Sequence, residues 1–172
     1  MPIKLYDLVA QKGVNASLFS PATIRARLAL VQKRVPFETV EVSYHDLRFY
    51  WTPKLGVQKA TAPLLELEDG TVIMDSLKII EWLDRTYPDR PSLYLPETAP
   101  PIDVDSAAYR SAVADFEAWR DSLTIPKPLF AVYAPLVVPK FDDETAAYWA
   151  SDERLGQKGT WDAINNRDPS GV

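Results

Sequence analysis

The chain has 172 residues, 47% hydrophobic and 25% charged, enough to bury a core in one ordinary domain or two small ones. A formal net charge of −5 argues against a nucleic-acid partner, which needs a basic face, so none is expected, while a local basic patch for a small anion stays open. Cysteine is absent, which excludes disulfides, catalysis by a protein thiolate and cysteine-type zinc sites.

Met1-Pro2-Ile3-Lys4 runs directly into an alternating segment with no basic-then-apolar leader, and no window is apolar for long enough to cross a bilayer. A cytoplasmic protein without a membrane partner is expected. Ile3 and Leu5 flank Lys4 as in a half-buried strand, and a polar loop follows from Gln11 to Ser17. From Pro21 the period changes: Ile24, Leu28 and Val31 mark one face of a helix that Pro36 stops. Val40, Val42 and Tyr44 alternate with polar residues as a second strand. The stretch His45 to Thr61 is irregular and holds a short helix rich in aromatic residues (Phe49, Tyr50, Trp51). The runs 63–67 and 71–74 flank Glu68-Asp69-Gly70, a strong hairpin signal. Leu77, Ile80, Leu83 and Tyr87 trace a further helical face, ended by Pro88.

The order β-α-β then β-β-α predicts an α/β thioredoxin-like domain over residues 1–92. Leu93 to Pro101 carries three prolines and reads as a linker, residues 93–101. Residues 102–172 read as an all-α C-terminal domain. Tyr109, Val113, Phe116 and Leu123, with Trp119 alongside, mark a long helix there. Pro126, Pro128, Pro135 and Pro139 break up the segment after it. Asp142 to Leu155 reads as one helix with acidic residues in its first turn, and Asn165 to Val172 is expected to fray.

Three short elements are candidates for chemistry. Ser20-Pro21 at a helix start is the usual device of an N-cap serine before an N1 proline. The same hydroxyl and helix end also suit an anion or a bound thiolate. Thr61-Ala62-Pro63 is either a proline entering an edge strand or a cis Ala62–Pro63 bond that turns the Ala62 backbone toward an extended peptide; spacing does not choose between them. Asp75-Ser76 opens a helix and needs no role beyond capping, yet Ser76 suits a carboxylate and Asp75 an ammonium group. His45, the single histidine, reads as a loop residue and makes neither a metal site nor a triad, so no metal is expected. Trp119 and Trp149 read as core or interface.

Together these elements resemble a known pattern. Ser20-Pro21-Ala22-Thr23-Ile24-Arg25 resembles the Cys/Ser-Pro-x-x-x-Arg segment of omega-like glutathione transferases. Ala62-Pro63 is similar to their Val-Pro element and Asp75-Ser76 to their Glu/Asp-Ser pair, and the run Asp75 to Pro88 is especially characteristic. Serine before proline is most similar to the etherase-like fungal and bacterial group. The resemblance is strong from about Ile3 to Leu95 and weaker over Asp142 to Gly156.

It implies glutathione as co-substrate, with Ser20 donating to its thiolate. The Ala62 backbone ahead of cis Pro63 would pair with the cysteinyl unit, Asp75 and Ser76 would hold the γ-glutamyl end, and Lys59 would meet the glycine carboxylate. The implied reaction is attack by glutathione on a small hydrophobic electrophile, by conjugation or by cleavage of an aryl ether. A homodimer is implied as well. The family's second domain is much longer than the segment after Pro101, so a partial, apparently truncated helical domain with uncovered apolar faces is expected. The alternatives are a transferase-fold protein that binds glutathione or apolar ligands without turnover, and a truncated inactive relative.

Overall fold

The computed structural model describes residues 2–13, 20–95, 101–123, 134–156 and 158–166. The first strand, β1 (Lys4–Leu8), sends Leu5 and Asp7 to one face of the sheet and Tyr6 and Leu8 to the other, as the two-residue period of a strand requires. It pairs in parallel with β2 (Glu38–Val42), Lys4 opposite Glu38 and Leu8 opposite Val42. On its other side it runs antiparallel to β3 (Leu64–Glu66), with Leu5 opposite Leu65. The hairpin partner β4 (Val72–Met74) completes a four-stranded sheet in the order β2-β1-β3-β4. The hairpin turn takes Gly70 to a φ of 85°, which a residue without a Cβ adopts freely.

One face of the sheet is covered by α1 (Pro21–Gln32) and α4 (Ser76–Thr86), which close a core of Leu5, Ala26, Leu30, Leu65, Ile79 and Leu83. The other is covered by a continuous helical stretch: α2 (Tyr44–Asp46), a π-helical turn over Leu47–Trp51, and α3 (Thr52–Leu55). Leu47 and Trp51 close that second core with Leu8, Val42, Ala60 and Leu64. This is the thioredoxin-like arrangement expected from the element order, followed by helices.

The helical part begins with α5 (Ala107–Ser122), capped by Ser106, whose Oγ accepts from the Tyr109 N–H. After a helical turn at 134–137 and a 3₁₀ turn (Val138–Lys140) come α6 (Asp143–Trp149), α7 (Asp152–Leu155) and α8 (Thr160–Asn165). Ala134, Val138, Phe141 and Trp149 form a third cluster, on which Tyr44 packs edge-on.

Several expectations change. The stripe Ile24, Leu28, Val31 of α1 faces outward, with 41%, 61% and 59% exposure, and the buried face is Thr23, Ala26, Ala29 and Leu30, continued by Lys33. Two ion pairs fix that rotation. Arg27 grips the buried Asp7 (2.6 Å), and Lys33, wholly buried, meets the equally buried Asp84 at 2.6 Å. Small Ala26 and Ala29 let the helix lie close to its neighbours. Tyr44 leaves the strand because Ser43 and Asp46 form a reciprocal cap that starts α2, and this also puts His45 on a helix rather than in a loop. Asp142 to Leu155 is two helices, since the Ser151 Oγ accepts from the Arg154 N–H and starts α7 afresh. Asp143 and Glu144 do stand in the first turn of α6.

The start of the expected linker is anchored: Leu93 N–H and Ser92 Oγ donate to Asp84, and Leu93 and Tyr94 pack against the first core. Trp149 is buried, whereas Trp119 is exposed. The expectations on Val14 to Ser17, on 96–100, on Pro126 and Pro128 and on 167–172 fall outside the described residues.

Candidate functional site

Ser20 is the N-cap of α1, in extended backbone, with its Oγ accepting from the Thr23 N–H at 3.3 Å. Pro21 at N1 has no N–H to lose, and the Ala22 N–H has no partner among the described residues. Among the described residues the helix therefore starts with an unpartnered donor, beside its own partial positive charge. Ser20 is 8% exposed, and it opens onto a cleft of about 220 Å³. Because Oγ accepts from Thr23, its own proton is left to donate into that cleft.

The opposite wall is the loop before β3. Lys59, Ala60, Thr61 and Ala62 all line the cleft, and the Ala62–Pro63 bond is cis. Neither the N–H nor the carbonyl of Ala62 has a hydrogen-bond partner among the described residues. An unpaired strip of backbone at a sheet's end is a template for an extended peptide. The Pro63 carbonyl accepts from the Asp75 N–H at 3.3 Å, which links this wall to the start of α4.

There Asp75 caps the helix, its Oδ1 accepting from the Leu77 N–H at 2.7 Å, with a φ of 90° that is rare for a residue bearing a Cβ. Ser76 is buried and its Oγ accepts from Arg25 Nη1 at 3.1 Å, so α1 and α4 are tied beside the site. Of the six expected residues, Ser20, Lys59 and Ala62 line one cleft. Pro63 is buried behind it, and Asp75 and Ser76 stand outside its lining, next along the chain of contacts.

The remaining walls were not foreseen as site residues. Tyr44, Leu47 and Arg48 come from the α2 stretch and Tyr148 from α6. Arg48 is held by Glu153 of α7, its Nε and Nη2 both on Oε1 at 2.7 and 2.5 Å. The Phe49 and Tyr148 rings meet edge to face at 5.9 Å. The aromatic content of 49–51 and the pair Tyr148-Trp149 were visible in the sequence, but the approach of the two elements is tertiary. Asp46, which caps the segment carrying Tyr44, Leu47 and Arg48, is partly buried, which favours its neutral form. The hydrogen bond from Lys12 and those from Ser43 outweigh this and hold its carboxyl below the usual carboxylate range.

The sheet order and the helices on both faces define a thioredoxin-like domain with a cleft at the N-terminus of its first helix. Residues 16–91 match the family model of the glutathione S-transferase N-terminal domain. The chain is similar to a glutathione S-transferase of Ceriporiopsis subvermispora solved in complex with glutathione: 26% identity, TM-score 0.69, 98% of this chain and 68% of that one. It is also similar to the glutathione transferase GSTFuA2 of Phanerochaete chrysosporium, with 28% identity and a TM-score of 0.64 over 91% of this chain and 63% of that one. The β-etherase LigF of Sphingobium sp. strain SYK-6, at 19% identity and a TM-score of 0.52 over 98% of this chain and 65% of that one, shares the fold. The fold is that of the glutathione transferases, and the chain spans 63 to 68% of the length of these three structures.

Proposed function

We propose that the protein binds glutathione in this cleft and activates its thiol through Ser20 for attack on an electrophile. The observation that carries the reading is a serine hydroxyl at a helix N-terminus facing, across one cleft, an Ala62 backbone, neither the Ser20 proton nor Ala62 having an acceptor or partner among the described residues. The cysteinyl unit of glutathione would pair with Ala62 as an added strand, which sets its sulfur against Ser20 Oγ. A hydrogen bond from Oγ and the end of α1 both favour the thiolate over the thiol. Lys59 would meet the glycine carboxylate, and Asp75 with Ser76 would receive the γ-glutamyl end.

The thiol proton leaves to solvent and the thiolate attacks carbon. A C–S bond forms while the leaving group departs with its electron pair. For an aryl ether the bond broken is C–O, and the phenolate takes a proton from water. Leu8, Leu47, Tyr44 and Tyr148 give the cleft the apolar walls a small hydrophobic electrophile fits. No cysteine stands at position 20, so the protein offers no sulfur for a mixed disulfide. The reading extends to a cytoplasmic homodimer of the etherase-like serine group.

The test is the pKa of bound glutathione, read from thiolate absorbance in the ultraviolet. The wild-type complex should show it about one to two units below the free thiol value, and Ser20→Ala should return about one unit. A bound thiol that titrates as the free one does, in both proteins, contradicts the proposal.

A further inference from the structure

We infer that Thr52 is a positioning residue of the cleft: its hydroxyl ties the π-helical turn on one wall to the Ala60–Ala62 backbone on the other. The inference rests on the glutathione reading of the site. Thr52 does not line the cleft and is 9% exposed. Its Oγ1 donates to the Leu47 carbonyl at 2.8 Å and accepts from the Ala60 N–H at 3.0 Å. Its own N–H also ends on the Leu47 carbonyl, closing the wide turn, and its carbonyl accepts from Gly56 and Val57. One side chain thus joins two segments that meet nowhere else through a hydrogen bond among the described residues.

Both ends of this link belong to the site. Leu47 and Arg48 form one wall of the cleft, and Ala60 to Ala62 the other. Lys59, next to Ala60, has no backbone partner for its N–H among the described residues, and the Thr61 N–H meets only the weak acceptor Met74 Sδ at 3.4 Å, so the Ala60 bond is the strong fixed point of the loop before Ala62. A wide π turn is itself a less common backbone state, often found at functional sites. Without the hydroxyl, the Ala60 N–H and one lone pair of Leu47 are left in a buried environment, and the loop shifts to satisfy them. A ligand that binds by main-chain pairing at Ala62 then meets an edge that must first be ordered, which lowers affinity without touching the thiol.

The experiment compares wild type, Thr52→Val and Thr52→Ser. Glutathione affinity is measured by calorimetry, the bound thiol pKa by absorbance, and amide exchange at Ala60 by NMR. The inference expects Thr52→Val to bind about fivefold more weakly, the range of one net hydrogen bond, with the bound thiol pKa unchanged. Thr52→Ser keeps the hydroxyl and should stay within about twofold. In the wild type the Ala60 amide should exchange at least about tenfold more slowly than that of Lys59, a readout that holds even if Thr52→Val does not fold.

Equal affinity in Thr52→Val, a serine variant as weak as valine, a thiol pKa that moves with the valine change, or Ala60 exchanging as fast as Lys59 would each overturn the role of Thr52 and leave the glutathione reading standing. A folded wild type that does not bind glutathione overturns that reading, and this one with it.

Discussion

Replacing Lys33 with Met probes the interaction that fixes α1 and joins the sheet domain to α5. The Lys33 ammonium is fully buried and donates to Asp84 Oδ1 at 2.6 Å and to the carbonyls of Tyr87 and Arg90 at 3.1 and 3.2 Å. Asp84, also fully buried, accepts in addition from Ser92 Oγ (3.3 Å), Leu93 N–H (3.2 Å) and the Tyr109 hydroxyl (3.0 Å). Removing one partner of such a pair leaves an uncompensated charge and costs about 3–5 kcal/mol. Three neutral donors stay on Asp84 in Lys33→Met, which places the loss near the lower end, about 3 kcal/mol.

Asp84→Asn strands the ammonium instead, and should cost a similar about 3–5 kcal/mol. In Lys33→Met with Asp84→Asn neither charge is left. The double variant should therefore lose about as much as one single variant, a coupling of about 3 kcal/mol or more. Urea unfolding of the four proteins at neutral pH, read by tryptophan fluorescence, measures each term. Strict additivity within about 0.5 kcal/mol, or a single-variant loss below about 1 kcal/mol, would refute the reasoning.

Leu28→Glu on the outer face of α1 should change stability by no more than about 0.5 kcal/mol, while Leu30→Ala on its buried face should cost about 2–5 kcal/mol by urea unfolding. Asp75→Ala loses the cap to Leu77 and keeps the unfavourable φ, so it should be about 1 kcal/mol less stable, whereas Asp75→Gly relieves the backbone and should lie within about 0.5 kcal/mol of wild type in thermal unfolding. Because the folded-state pKa of Asp46 lies below its unfolded value, its contribution is present above about pH 4 and is lost as pH falls through the folded pKa. Amide exchange in α2 should accelerate across that acid range in wild type and show no such step in Asp46→Asn.

The sequence carried the topology because each sheet-domain element has its own local signal. Proline at N1 opens α1, Asp-Gly turns the hairpin, and Asp75-Ser76 opens α4. The rotation of α1 was not readable. Its apolar residues have helical spacing, yet the buried face is set by Asp7 and Asp84, which lie far away in the chain and draw Arg27 and Lys33 inward. A lysine in the core leaves no local mark, since its burial depends on a carboxylate and two carbonyls assembled by the fold.

The site divides the same way. Ser20 and Ala62 stand beside prolines whose backbone effects are local, so both could be singled out. Tyr44, Arg48 and Tyr148 reach the cleft only because the α2 stretch packs on the far side of the sheet and α6 lies against it. The π turn at Leu47–Trp51 has no signature that separates it from an α-helix, so nothing local singles out Thr52, a polar residue before a proline.

The central claim, that Ser20 and Ala62 frame a working glutathione site, is tested most directly by calorimetric titration of the 172-residue chain with glutathione, alongside Ser20→Ala. Saturable binding that weakens in Ser20→Ala is the expected result. A folded protein that takes up no glutathione, or one whose affinity is indifferent to Ser20, would contradict the account.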